Sequence, residues 1–382
     1  VKLLHTSDWH IGRTFHGHST TAALATVLEA LVETVRAERV DAVLIAGDVF
    51  DSAVPAAEHY TLLTRTLEAI RAAGAEVVLT SGNHDSPARL GFQAGLLRGA
   101  GVHVLTDPEA YAEPVVLRDA SGLEVGVHGI PFLEPALYRH RHPEEQLRRH
   151  EDVLAFAMAR VRAAAEAAGR PWVVLAHCFA VGAPAAVLER DITAGGLDYV
   201  SVEHFAAADY AALGHIHGRA ELLPGVRYSG APLHYSFGEA SKPRGAWLVT
   251  IGPEGLEGVE WSPLPVPRRL SVIEGELEQL LRDPSLAEVE GDWVSAVLTD
   301  PVRPLDAMAR LQSRFPGCAT LEHRPPHAAA EPRAYAERIR GRSDVEVVDD
   351  FLAHVRGGHG ATETERALTL DALAAVEAEA LR

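Results

Sequence analysis

Five short stretches bring together the side chains that bind divalent metals. They are "SDWH" with Asp8 and His10, "AGDVFD" with Asp48, "SGNHD" with Asn83, "AHC" with His177, and "GHIHG" with His215 and His217. Taken singly, each reads as a turn or a helix cap. All five follow an apolar run, and in that order they point to one site. Asp8 and His10, like His215 and His217, are two apart, which puts both side chains on one face of an extended segment. The seven donors exceed what one tetrahedral zinc accepts and suit two ions sharing a bridging carboxylate. Imidazole, carboxylate and amide without thiolate favour a borderline-hard ion such as manganese over a structural zinc. Two such ions about 4 Å apart clamp a phosphate and activate the water that attacks it. The expected chemistry is phosphoester hydrolysis.

The elements that must position these residues are legible as alternating runs. Lys2–Thr6, 42–46, 76–80, 172–176 and 210–213 read as strands, with amphipathic helices over 21–39 and 57–73. Alternation of this kind predicts a largely parallel sheet with crossover helices, an α/β domain. In such sheets ligands bind beyond the carboxyl ends of the strands, where each of the five stretches sits. Glycines 47, 82 and 214 let the backbone turn sharply at those ends. "WSPLPVPRR", residues 261–269, reads as an extended linker. Beyond it, strands at 270–274, 293–299 and 318–322 and helices at 276–282 and 305–315 predict a small α+β domain. The expected division is 1–262, 268–343 and a helical tail, 344–382. That tail holds nine acidic residues and three arginines, and its apolar positions fall into two helical stretches separated by "RGGHG".

Length and composition narrow the class. A chain of 382 residues, 47% hydrophobic and 23% charged, is a soluble multidomain protein by expectation. The most apolar window, 171–188, contains His177, Cys178, Gly182 and Pro184, and reads as strand and loop rather than a membrane span. Val1 begins directly on a strand-like run, so no signal peptide is expected. Two cysteines form no disulfide framework, which fits the cytoplasm. A net charge of −18 argues against unaided nucleic-acid binding, though bound divalent ions invert the field of an acidic site. Arg139, Arg141, Arg148 and Arg149 form the densest basic cluster, read first as a solvated helix end beside Glu144 and Glu145. His5 and Cys178 read as buried core residues.

The segments "HTSDWHIG", "GDVFD", "SGNHDSPARL", "GHIHG" and "YSGAPLHYSFGEASKPRG" resemble the calcineurin-like metallophosphoesterases, and within them the bacterial SbcD nuclease family. They cover most of residues 1–245. The resemblance implies a sandwich of two sheets flanked by helices, a capping domain that binds DNA, and a tail that binds the SbcC ATPase. It implies that Asp8, His10, Asp48 and His217 hold one ion, and that Asp48 bridges to a second held with Asn83, His177 and His215. His84 becomes the catalytic histidine, and Asp85 either orients it or caps the turn. Archaeal and eukaryotic relatives carry histidine where this chain has Asp51, so that histidine's role does not transfer. The implied activity is manganese-dependent cleavage of DNA (magnesium or other divalent ions being admissible), as a 3′→5′ double-strand exonuclease and a single-strand or hairpin endonuclease. The implied assembly is a homodimer joined by two SbcC subunits, acting in DNA end processing and repair. The rival expectations are a phosphatase or cyclic-nucleotide phosphodiesterase on the same centre, and a non-catalytic scaffold, against which the complete donor set argues.

Overall fold

The computed structural model describes residues 1–182, 199–326, 341–356 and 358–380; residues 183–188 of the apolar window and Leu381 of the tail lie outside them. The chain divides into two compact units, Val1–Pro267 and Arg268–Arg382.

The first unit begins β1 (Lys2–Thr6), α1 (Thr21–Glu38), β2 (Ala42–Ala46), α2 (Ala57–Ala72) and β3 (Glu76–Thr80). It continues with α3 (Pro87–Leu90), α4 (Ala94–Arg98), β4 (Val102–Leu105), β5 (Val115–Arg118), β6 (Glu124–Ile130), α5 (Pro135–Arg141) and α6 (His150–Ala168). Then come β7 (Trp172–His177), β8 (Tyr210–Gly214), β9 (Ala220–Leu223), β10 (Val226–Tyr228), β11 (Gly245–Gly252) and β12 (Gly255–Pro263). They form two six-stranded sheets, ordered β12-β11-β1-β2-β3-β4 and β9-β10-β8-β7-β6-β5. The centre of each sheet is parallel and its edges are antiparallel.

Strand alternation explains the layering. In β2, Val43 and Ile45 pack with Leu24, Leu28 and Leu31 of α1, while Leu44 packs against the other sheet with Val173, Leu175 and Val127. In β7, Val174 and Ala176 turn outward onto Val153, Met158 and Val161 of α6. The central strands are therefore buried on both faces, which is why they read as unbroken apolar runs. Each fully buried Val, Leu or Ile contributes roughly 1.5–3 kcal/mol. The result is a helix–sheet–sheet–helix sandwich. The five strands identified from sequence occupy nearly their expected bounds, but β1, β2 and β3 lie in one sheet and β7 and β8 in the other.

The second unit contains a parallel three-stranded sheet of β13 (Leu270–Gly275), β14 (Trp293–Leu298) and β15 (Cys318–His323), with α7 (Leu277–Arg282) and α8 (Ala307–Arg314). Leu277, Leu280, Leu311 and Phe315 close its own core over Val294 and Ala296. Two further helices, α9 (Asp344–Val355) and α10 (Glu363–Ala380), complete it.

Candidate metal centre

The loops after β1, β2, β3, β7 and β8 meet at one end of the sandwich. Asp8 N–H donates to Gly47 O at 3.1 Å and His10 N–H to Asp48 O at 2.9 Å, which fastens the first two loops together. His215 N–H donates to both Asp8 carboxylate oxygens, at 3.0 and 3.2 Å, and so ties the second sheet to the first. β7 and β8 end in register, Gly214 beside His177.

The convergence depends on backbone that most residues resist. Asp8, His10, Asp48 and His215 all have positive φ, half of the non-glycine residues that do so among those described. Such strain costs on the order of 1–3 kcal/mol each and collects at functional sites. At Gly82 an added Cβ would collide with the Asp48 carboxylate, and at Gly214 with Ala46 O. Both positions need glycine for close approach.

All seven expected donors, and His84, are drawn into this one place. Asp8, His10, Asp48 and His177 are buried, while Asn83, His84, His215 and His217 face the opening. His10 Nε2 and His217 Nε2 are 3.1 Å apart. Asn83 Oδ1 lies 3.0 Å from His177 Nε2 and 3.1 Å from His215 Nδ1. One oxygen of Asp48, Oδ2, stands 3.6 Å from His10 Nε2 and 3.5 Å from His177 Nε2, midway between the two groups. Adjacent ligands on an octahedral ion with bonds of about 2.1 Å are about 3.0 Å apart, and tetrahedral ones about 3.4 Å. These separations match the edges of a coordination shell. The compact clusters Asp8–His10–His217 and Asp8–Asp48–His177 have that character, and so does His10–Asp48–His84.

Charge makes the same demand. Asp8 and Asp48 are 0% and 2% exposed. Among the described residues their ion-pair partners are histidines, with no lysine or arginine in that role. Buried carboxylates need a compensating cation. Burial would raise the Asp48 carboxyl, but His177, His10 and the His84 N–H outweigh it and hold it well below its ordinary range. Burial would likewise lower the His177 imidazole, yet Asp48 and Asp8 lift its pKa to about 9. His215 is pushed down to about 4 by burial and by the neighbouring His177. Cys178, next to His177, offers no thiolate, because burial and then Glu151 push it up to about 12. The donor set therefore fits divalent ions of the hard-to-borderline kind.

Several supporting contacts have no legible pattern in the sequence. His177 Nδ1 donates to Ala46 O at 2.9 Å, leaving Nε2 to face the site. Asp51 Oδ1 lies 3.1 Å from His10 Nδ1 and 3.2 Å from an Arg13 nitrogen, and its backbone oxygen accepts from His84 Nδ1 at 3.0 Å. Glu239 Oε1 is 3.5 Å from His217 Nδ1, and the other Glu239 oxygen pairs with Arg244 at 2.7 Å. Such contacts fix a ligating imidazole's tautomer and raise its basicity. Asp85 accepts N–H groups from Gly82, Val49 and Phe50 at 2.9–3.0 Å, sewing the β3 loop to the β2 loop; His84 is held by Asp51 instead. In the arginine cluster, Arg149 pairs with Asp152 and Arg141 lies 3.8 Å from Glu109, rather than meeting Glu144 and Glu145.

A two-sheet sandwich with a pocket of Asp, His and Asn donors at its strand ends defines a metal-dependent phosphoesterase. Residues 1–219 match the family described as Calcineurin-like phosphoesterase, and residues 266–356 one described as Type 5 capsule protein repressor C-terminal domain. The SbcD subunit of the nuclease SbcCD from Escherichia coli (strain K12) is 33% identical over 291 residues, 73% of this chain and 72% of that one. Its namesake from Staphylococcus saprophyticus is 24% identical over 368 residues, 96% of each chain. The protein TT1561 of Thermus thermophilus covers 69% of this chain and 98% of its own at 13% identity and a TM-score of 0.39, too slight a likeness to carry weight. The chain belongs to the calcineurin-like phosphoesterase family and, within it, to the SbcD nucleases. It is a metal-dependent hydrolase of the nuclease class, which removes the scaffold reading. Among the described residues no helix is long and apolar enough to cross a membrane.

Proposed function

We propose that this protein cleaves DNA with two manganese ions, as a 3′→5′ exonuclease on duplex ends and an endonuclease on hairpins and single strands. The observation that carries the two-ion reading is Asp48 Oδ2, nearly equidistant from His10 and His177. Asp8, His10 and His217 hold one ion, Asn83, His177 and His215 the other, and Asp48 reaches both. Bound there, the ions supply charge neutralisation for the phosphodiester and acidify the attacking water. Asn83 adds no negative charge where the phosphate must sit. Asp51 O only accepts, so His84 Nδ1 carries a proton and Nε2 faces outward. As an imidazolium, His84 donates from Nε2 to the departing sugar oxygen.

The SbcCD names of the relatives support an SbcC ATPase as partner, in a heterotetramer with two copies of each subunit. That partner supplies basic surface to a chain of net charge −18. The α+β domain serves as the DNA-binding cap and the tail as the ATPase contact. Phe92 and Leu96, 71% and 78% exposed and close to one another in the chain, are apolar surface suited to a homodimer. The test is incubation of the protein with manganese and end-labelled linear duplex, hairpin or single-stranded DNA, with ions counted by calorimetry. Two ions and stepwise shortening from 3′ ends are expected. A single ion, or no release of nucleotides, would refute the reading.

A further inference from the structure

A cavity of about 510 Å³ opens directly beside the metal-site loop, with Gly82, Asn83 and Asp85 among its lining residues. The remaining walls include Pro87 of α3, Phe132 after β6, and Leu137, Tyr138 and Arg141 of α5. Its volume falls within the range of about 300–1,000 Å³ typical of small-ligand sites. The wall nearest the metal donors is firmly held. Phe132 N–H donates to Ser81 O at 2.9 Å, joining this segment to the loop that carries Asn83. The Phe132 ring lies 5.2 Å from the His150 ring and 6.4 Å from that of His177. Tyr138 is buried with its hydroxyl given to Pro108 O, so it offers only its ring. Leu137 stands 67% exposed, an apolar side chain left uncovered at the rim. Polar character is confined to the ends, Asn83 toward the metal donors and Glu134 and Arg141 at the far side.

We propose that this cavity receives the nucleobase next to the scissile phosphate, taken from an unpaired strand. The proposal rests on the phosphodiester being cut at Asp48 and Asn83, as proposed above. A phosphate seated at Asn83 has its neighbouring base within one nucleotide of the cavity mouth. A base presents flat apolar faces to Phe132 and Leu137, and the next phosphate along the strand falls toward Arg141. An apolar protein side chain would use the walls but leave both polar ends without a counterpart. A base paired in a duplex cannot enter, because it must first leave its stack. The cavity thereby gives the enzyme a physical reason to favour unpaired nucleotides at the cut.

The experiment uses the full chain with manganese and a 5′-labelled oligothymidylate carrying one abasic nucleotide. Cuts are counted at every phosphate and compared with the intact oligomer. Loss of one base contact should lower cutting about tenfold at one phosphate flanking the abasic residue and leave distant phosphates unchanged. Leu137→Trp, at an exposed position, should fill the cavity, slow cutting of the intact oligomer by a similar factor and erase the abasic effect. Its manganese affinity should stay as in the wild type. Equal cutting of abasic and intact strands by the wild-type protein would overturn the cavity assignment while leaving the metal centre standing. Failure to hydrolyse either DNA or a chromogenic phosphodiester would overturn the metal-centre reading, and the cavity assignment with it.

Discussion

Arg244 and Glu239 form a 2.7 Å ion pair, 3% and 7% exposed, directly behind His217. Arg244 also donates to the backbone oxygens of His217 and Ala231, so one guanidinium holds the main chain of His217 while its partner carboxylate faces the ring. Removing a carboxylate that supports a ligating histidine commonly costs about 10–100-fold in metal affinity. Glu239→Gln should weaken manganese binding by that factor, read by calorimetric titration. Arg244→Met should act on folding instead, because it strands a buried carboxylate at a cost of about 3–5 kcal/mol. Unchanged affinity in Glu239→Gln would show that His217 needs no such support.

Asp48→Asn removes the one charge that reaches both groups of donors. The variant keeps the shape of the side chain, and its amide still approaches His10 and His177. It should bind at most one ion and lose DNA cleavage altogether. Two ions bound with normal turnover would dismiss Asp48 as the bridge.

His84 is open to two readings, because it also clusters with His10 and Asp48 at ligand distance. Its Nδ1 is committed to Asp51 O, which favours proton transfer from Nε2 over ligation. His84→Ala should therefore leave metal stoichiometry intact and slow hydrolysis by roughly 10²–10⁴-fold. Loss of an ion in this variant would make His84 a ligand.

The sequence-based reading succeeded where residues obey a repeating rule. Strands buried on both faces leave continuous apolar runs, so β1, β2, β3, β7 and β8 were recognisable, and the donors follow at their carboxyl ends. The division into two sheets left no trace, since a strand such as β7 looks the same whichever sheet it joins. Edge strands such as β5 and β9, half exposed, lack the unbroken apolar run. Asp51, Glu239 and Arg244 were illegible for another reason. Each acts through one contact across a long sequence separation, and a lone charged residue carries no spacing to read.

His5 links stability to pH. It is fully buried, with Nε2–H donating to Leu213 O at 3.1 Å and Nδ1 accepting from Tyr210 OH at 2.9 Å. Burial, only partly offset by the Leu213 carbonyl, pushes its pKa down to about 3. The unfolded chain takes up a proton near pH 6.5 that the native state refuses. The contribution is thus complete above that pH and is lost as pH falls toward the folded value, by about 1.4 kcal/mol per unit. Urea unfolding in EDTA between about pH 7 and pH 5 should show wild type losing stability more steeply than His5→Gln. Equal slopes would mean that His5 titrates normally in the fold.

The tail helices α9 and α10 are tied to each other by charge rather than by a buried core. Arg356 bonds both oxygens of Glu365 at 2.9 and 3.0 Å, Asp349 pairs with Arg366 at 2.8 Å, and Asp349 also accepts Ala361 N–H at 2.6 Å. These contacts set the hairpin while leaving apolar side chains uncovered. Phe351, Val355, Leu368, Leu370 and Val376 are 47%, 56%, 62%, 55% and 63% exposed, in that order. Apolar rows on preformed helices suit docking onto a partner helix, and surface ion pairs alone would not hold them against water. Truncation after residue 340 should therefore preserve manganese-dependent cleavage by the isolated subunit and abolish both SbcC binding and ATP-stimulated cleavage. The pair Phe351→Glu and Leu370→Glu tests the same surface in the full-length chain and should weaken SbcC binding without changing basal activity. Co-purification of the truncated chain with SbcC at full stoichiometry would remove the tail from the interface.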